Sequence, residues 1–147
     1  MTTDHHASPA SDFSWLINDF VARVHGVTHA LILSADGLSL VASDSVGQDA
    51  AEQLAAISSG MLNLARAAAT MFHKGTCEQI VVRLTDGYFL FMDIGVEAGL
   101  GVLTAPGCDM KVIGYEMTKF VDNAGHALTP QRRADMRRTV TSRRPGA

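Results

Sequence analysis

The dipeptide Asp-Gly stands twice between short apolar runs, at Asp36-Gly37 and Asp86-Gly87. Asp-Gly accepts the positive φ angles of tight hairpin turns, so each pair predicts two antiparallel strands joined by a minimal link. Between the two hairpins lies one long segment, 47–74, with no Pro and a single interior Gly, Gly60. As a helix it would run about 40 Å, at ~1.5 Å per residue. Chains built this way make a largely antiparallel sheet.

The remaining elements follow from periodicity. Phe13, Leu16, Ile17, Phe20 and Val24 recur at helical spacing behind a cap at Ser11 or Asp12, and Gly26 supplies the stop. Val27 to Ser34 and Leu38 to Ser43 are the first two strands. The long helix shows the stripe Leu54, Ile57, Met61, Leu64 and Ala68, with Ala, Ser and Gly over the rest of its surface, and Gly75 ends it. Thr76 to Leu84, Tyr88 to Ile94 and Ala98 to Thr104 are three further strands. A third helix runs from Asp109 to Asn123, with Met110, Ile113, Met117, Phe120 and Val121 as its buried stripe and Gly125 as its close. Thr129-Pro130 reads as the start of a short Arg-rich helix reaching about Val140. Central strands that are apolar on both faces need cover on both. The expected fold is a three-layer α-β-α sandwich around a five-stranded, mainly antiparallel sheet, in the order αββαβββα. The chain divides into a leader, 1–11, a domain, 12–127, and an arginine-rich extension, 128–147.

Composition narrows the function. The chain has 147 residues, 47% hydrophobic and only 18% charged, which is ample apolar material for one core. No apolar run approaches the ~20 residues of a membrane-spanning helix. Met1 to Ser11 is polar and acidic, unlike a signal peptide. Two cysteines, Cys77 and Cys108, make no disulfide scaffold, and a reducing cytoplasm is the simplest compartment. The net charge of −3 averages an acidic body, −8 over 1–129, and a basic tail, +5 over 130–147.

Four stretches carry a family resemblance: Gly26 to Leu38 (GVTHALILSADGL), Gln53 to Ser58 (QLAAIS), Glu78 to Val82 (EQIVV) with Asp86-Gly87-Tyr88, and Tyr115-Glu116-Met117. This ordered set, spanning about residues 13–126, resembles the roadblock family, the dynein light chain domain, in its short actinobacterial form. The resemblance implies a profilin-like fold and a homodimer. In that dimer the third strand pairs with its twin and the long helices lie side by side. Carried onto this chain, the interface would hold Cys77, Gln79, Ile80, Val81 and Val82 of the strand and Ser58, Met61, Leu62 and Ala65 of the helix. The family also implies regulation of a Ras-like small GTPase as scaffold or activator, with a sensor-kinase-like protein as a further partner. Membrane association would come only through such partners. Gln53, Arg66, Thr70, His73 and Lys74 are the GTPase-facing candidates.

No catalytic residue, cofactor or metal ion is expected. The phosphate-cradling pattern G-x-x-x-x-G-K-[ST] is absent, and no Ser sits in a G-x-S-x-G elbow. Cys77 and Cys108 lack metal-ligand spacing and read as ordinary small buried residues. His5-His6 read as solvated, and His25, His29, His73 and His126 fall at element ends. Gly95, Gly99 and Gly101 read as a strand turn at a sheet edge. Arg66 is either a snorkelling surface residue or a partner contact. Arg132, Arg133, Arg137 and Arg138 are either contacts to an acidic partner or a tail docked on the chain's own acidic body. The alternative to GTPase regulation is an adaptor that binds nucleic acid or a membrane surface through this tail.

Overall fold

A computed structural model describes residues 9–95, 97–128 and 130–143. The elements are α1 (Pro9–Arg23), β1 (Val27–Ser34), β2 (Ser39–Ala42), α2 (Gln48–Met71), β3 (Gln79–Leu84), β4 (Gly87–Gly95), β5 (Ala98–Thr104), α3 (Met110–Ala127) and α4 (Pro130–Arg143). The expected order αββαβββα is present, followed by α4. The leader expected over 1–11 lies outside the described residues for 1–8, and α1 already begins at Pro9. Thr129, expected to cap α4, also lies outside them.

Both hairpins form. Gly37 adopts φ 92° in the first, where its N–H reaches the Ser34 carbonyl at 3.0 Å. In the second, Leu84 pairs with Gly87, so the two-residue link is Thr85-Asp86 and Gly87 is already the first residue of β4. The five strands pair antiparallel in the order β2-β1-β5-β4-β3. β5, last in the chain, therefore lies in the centre, and β2 and β3 are the edges.

Gly99 and Gly101 are not at an edge turn. They lie inside central β5, paired with β1 on one side and β4 on the other. The Phe91 ring of β4 lies across Gly99, where a Cβ would come within 2.3 Å of it, and the Leu31 side chain of β1 lies 3.0 Å from the Cβ position of Gly101. Glycine here makes room for side chains of the neighbouring strands, an aromatic ring at Gly99 and a leucine at Gly101. Gly95, at φ 87°, does belong to the β4–β5 turn.

Helices α1 and α3, joined by α4, make the larger core with the sheet. Phe13, Ile17, Phe20 and Val24 of α1 and Ile113, Met117, Phe120 and Ala124 of α3 are buried against Ile32, Leu90, Leu100 and Val102. Phe20 and Phe120 meet edge-to-face at 5.3 Å. Asp109 caps α3 by accepting from the Lys111 and Val112 amides. Gly125 does not end α3; the helix runs to Ala127, and Gly125 lets it approach the Ile94 carbonyl.

The opposite face of the sheet carries α2, and here the expected stripe is wrong. The buried residues of α2 are Ala51, Ala55, Ser58, Ser59 and Leu62, packed towards Leu31, Leu33 and Phe91. Ile57 and Leu64 are exposed, at 56% and 74%. The two serines are compatible with burial because both hydroxyls are satisfied, Ser58 donating within the helix to the Leu54 carbonyl at 2.7 Å and Ser59 to the Ala35 carbonyl of the first hairpin at 3.0 Å. α2 ends three residues earlier than expected. His73, at φ 55°, turns the chain and the Lys74 amide donates to the Ala69 carbonyl at 2.7 Å.

The Arg-rich segment is packed into the domain. Leu128 and Met136 are fully buried in the larger core and Val140 is nearly so, against α1 and β2. Among the described residues, Leu128 and Met136 share one core with α3. Arg137 grips Asp36 of the first hairpin with two hydrogen bonds, at 2.9 and 2.7 Å. The tail thus docks on the chain's own acidic body at this position. Arg138 pairs with Asp135. The side chains of Arg132 and Arg133 lie outside the described residues.

The Arg137 guanidinium, and after it the Ser34 hydroxyl, hold the Asp36 carboxyl well below the usual carboxylate range. A depressed folded value makes the pair's contribution complete above the unfolded value, ~3.9, and lost only as pH falls through the folded one. The dock of α4 should therefore be unchanged from pH 7 to pH 5 and loosen only in strong acid. Both side chains are substantially exposed, at 41% and 58%, so solvent screens the pair. Arg137→Ala should cost about 1 kcal/mol or less. Met136→Ala should cost about 2–4 kcal/mol, because it empties a buried site. Denaturant midpoints of the two variants at pH 7 and pH 3 check both statements.

Candidate functional site

β3 is an edge strand with unusual composition. Its sequence is Gln-Ile-Val-Val-Arg-Leu, and among the described residues it pairs only with β4, its other side being open. Val81 is 50% exposed and Leu84 48%. Ile80 and Val82 are half-buried on the face shared with α2, where Ile80 and Cys77 pack against Leu62 and Phe91. An apolar edge of this kind, with unpaired amides and carbonyls, is a template for another strand.

α2 leaves a second apolar surface. At 3.6 residues per turn, Ile57, Gly60, Leu64 and Met71 fall on the side opposite Ala55 and Leu62. Ile57, Leu64 and Met71 are all exposed, and nothing lies within 4 Å of a Cβ placed on Gly60. Phe72, 65% exposed, extends the stripe past the helix end. Half-buried Leu54, Met61 and Ala65 flank it. The stripe contains no charged residue.

The expected interface residues are divided by this geometry. Gln79, Ile80, Val81 and Val82 lie on the open edge, Cys77 just before it, and Met61 and Ala65 on the flank of α2. Ser58 and Leu62 do not fit and are corrected: they are buried against the chain's own sheet. Ile57 and Leu64, expected in the buried stripe, lie instead on the exposed side of α2.

The GTPase-facing candidates also separate. Gln53 lies one turn before Ile57 on the outer stripe, and His73 and Lys74 follow the helix end, all exposed. Arg66 lies two turns after buried Ser59, and with Leu33, Ala98 and Gly99 borders a shallow depression over the sheet. Its position fits the snorkelling reading. Thr70, one turn on, is exposed on the same side as Arg66.

Elsewhere, Arg23 clamps α1 to α3 through Glu116 at 2.8 Å, with Asp19 at 3.3 Å. This raises the arginine above and lowers Glu116 below their ordinary values. Among the described residues, no group of three His, Cys, Asp or Glu is placed to hold a metal ion, and no helix is long and apolar enough to cross a membrane.

A family model described as the Roadblock/LC7 domain matches residues 13–104. The chain belongs to the Roadblock/LC7 domain family. The solved Roadblock/LC7 domain from Streptomyces avermitilis is 34% identical, with a TM-score of 0.74 over 78% of this chain and 96% of that one. Myxococcus xanthus MglB superposes equally well, TM-score 0.74, over 80% of this chain and 95% of that one, but at 8% identity it shows the fold alone. Acanthamoeba castellanii profilin IB shares the fold at TM-score 0.59 and 14% identity, over 79% and 98% of the two chains. No curated protein matches. The family match covers α1 through β5, so it includes both the β3 edge and α2 and leaves α3 and α4 outside it.

Proposed function

We propose that this roadblock domain is a non-enzymatic homodimeric regulator or scaffold of a Ras-like small GTPase in bacterial signalling. The observation that carries the reading is the pair of uncovered apolar surfaces on β3 and α2, two neighbouring parts of one domain. Pairing β3 with its twin would satisfy the open edge and extend the sheet across two copies. The α2 stripes of the two copies would then stand on one side of that joint sheet, an apolar platform for a further protein. The family resemblance names the partner class as the GTPase, and a sensor-kinase-like protein as a further partner. Gln53, His73 and Lys74 rim the platform, which makes them better contacts than Arg66.

Co-purification with Ras-like GTPases of the host genome, loaded with GDP or with a GTP analogue, tests the reading. A stable complex with one nucleotide state is the expected result. Single-turnover GTP hydrolysis then separates activation from scaffolding. Absence of binding in either state overturns the proposal.

The alternative, an adaptor acting through the basic tail, is weakened by the pairing of Arg137 with Asp36 and Arg138 with Asp135. Deleting 130–147 would not isolate the tail's charge, because it removes Met136 and Val140 from the core. Charge-neutral replacements of Arg132 and Arg133 are the cleaner probe.

A further inference from the structure

The two edges of the sheet differ in their cover. β3 is open, whereas β2 lies beside α4, which packs against both α1 and β2. Arg137 holds Asp36 in the first hairpin, and Val140, less than one helical turn on, borders a cleft over Leu40 to Ser43. The helix thus follows the β2 edge inward from the hairpin.

β2 is a strand that needs such cover. Ser39-Leu40-Val41-Ala42 carries no charge and no proline, the usual devices that keep an edge from pairing. A register shift opposite Ile32 and Leu33 disturbs only its start. Farther along, the Ser43 amide donates to the Ala30 carbonyl at 2.8 Å, so Ser43 faces β1. Alternation in an antiparallel pair then points the N–H and C=O of Ala42 away from β1, into the cleft that Val140 borders.

The cover is lightly held. α1 buries Phe13, Ile17, Phe20 and Val24, whereas the apolar side chains that α4 buries, among the described residues, are Met136 and Val140. Its ion pair with Asp36 is substantially exposed, so solvent screens it. α4 also lies beyond residue 104, where the Roadblock/LC7 match ends.

We propose that α4 is a displaceable guard over β2, and that releasing it opens a second pairing surface whose occupant is the β2 strand of another copy. An uncharged strand sets no like charges against each other when it pairs antiparallel with its twin, and a two-fold contact satisfies the outward groups of Ala42 on both copies. With the guard in place the sheet can grow only at β3. Closure of the assembly at two copies rests on the β3 pairing proposed above; the sealing of β2 does not.

Sedimentation velocity on the full chain tests this. Arg137→Glu together with Val140→Asp releases the guard, because one new carboxylate faces Asp36 and the other cannot stay buried. Made in a Val81→Asp chain, which keeps β3 out of play, the two changes should convert monomer to dimer. Adding Ala42→Pro removes an outward N–H without breaking a β1–β2 bond and should weaken that dimer at least about tenfold. With β3 intact, the released chain should exceed two copies. Trypsin cleavage within 132–143 reports release, and circular dichroism reports the fold; should the double change unfold the chain, Arg137→Glu alone is read in the same way. A helix that stays protected, a released helix with no gain in mass, or association that Ala42→Pro leaves unchanged would each overturn the proposal. A parent chain that is monomeric removes the β3 reading alone, and a gain in mass on release that Ala42→Pro reverses still supports the guard.

Discussion

Replacing Gly87 by Ala is expected to destabilise the domain by about 3 kcal/mol or more. Gly87 is buried at φ 149°, and a Cβ there would lie 2.1 Å from the Thr104 carbonyl oxygen. The obstacle is backbone, and it is held in place. The Tyr88 amide donates to the Thr104 hydroxyl at 3.1 Å, and the next amide, Ala105, donates to the Gly26 carbonyl at 2.8 Å. Neither strand can retreat without breaking the β4–β5 pairing at the sheet centre. Overpacking costs about 1–3 kcal/mol and an unfavourable φ a similar amount, so the two together approach the whole margin of a small domain. Gly60→Ala is the matching control. Its Cβ would meet open space in mid-helix, so the isolated domain should gain about 0.5–1 kcal/mol. Denaturant unfolding reads both. A Gly87→Ala protein within about 1 kcal/mol of the parent would contradict the close approach.

Val81→Asp should turn the proposed dimer into a folded monomer. Val81 is half exposed in the single chain, so an Asp there is tolerated until a second β3 covers it. Once covered, the carboxylate is desolvated beside its twin, and the dimer should weaken at least about 100-fold, which is ~2.7 kcal/mol. Ile80→Asp and Val82→Asp are less informative because both side chains are half-buried on the α2 face, so a loss of fold would mimic a loss of pairing. Leu64→Asp, on the outer face of α2, separates the helices' part from the strand's. Light scattering gives the oligomeric state and circular dichroism shows that the monomer remains folded. A monomeric parent chain, or a Val81→Asp protein that still dimerises fully, would remove the β3 pairing.

Much of the fold was legible because its signals are local. The Asp-Gly turns, the Pro-free segment before Gly75 and the Phe13–Val24 periodicity each specify conformation within one or two turns of chain. The site was legible only in part. The strand Gln79–Leu84 announced an apolar edge through its own sequence. The outward face of α2 did not, because reading Leu54, Ile57, Met61, Leu64 and Ala68 as the core stripe assumes that the most apolar side is buried. Here the sheet beneath is already filled by Leu31, Leu33 and Phe91, and the helix approaches it through Ala51, Ala55 and two internally bonded serines. The larger side chains are left for another surface.

The sequence by itself determined the order of elements, the antiparallel hairpins and the family, since turn chemistry and periodicity are properties of neighbouring residues. Only the tertiary structure decided which side of α2 faces out, why Gly99 and Gly101 are glycine, and that α4 belongs to the core. Each of these depends on what lies opposite in space. Arg137 and Asp36, 101 residues apart, meet only because the packing of Met136 and Val140 brings α4 beside the first hairpin.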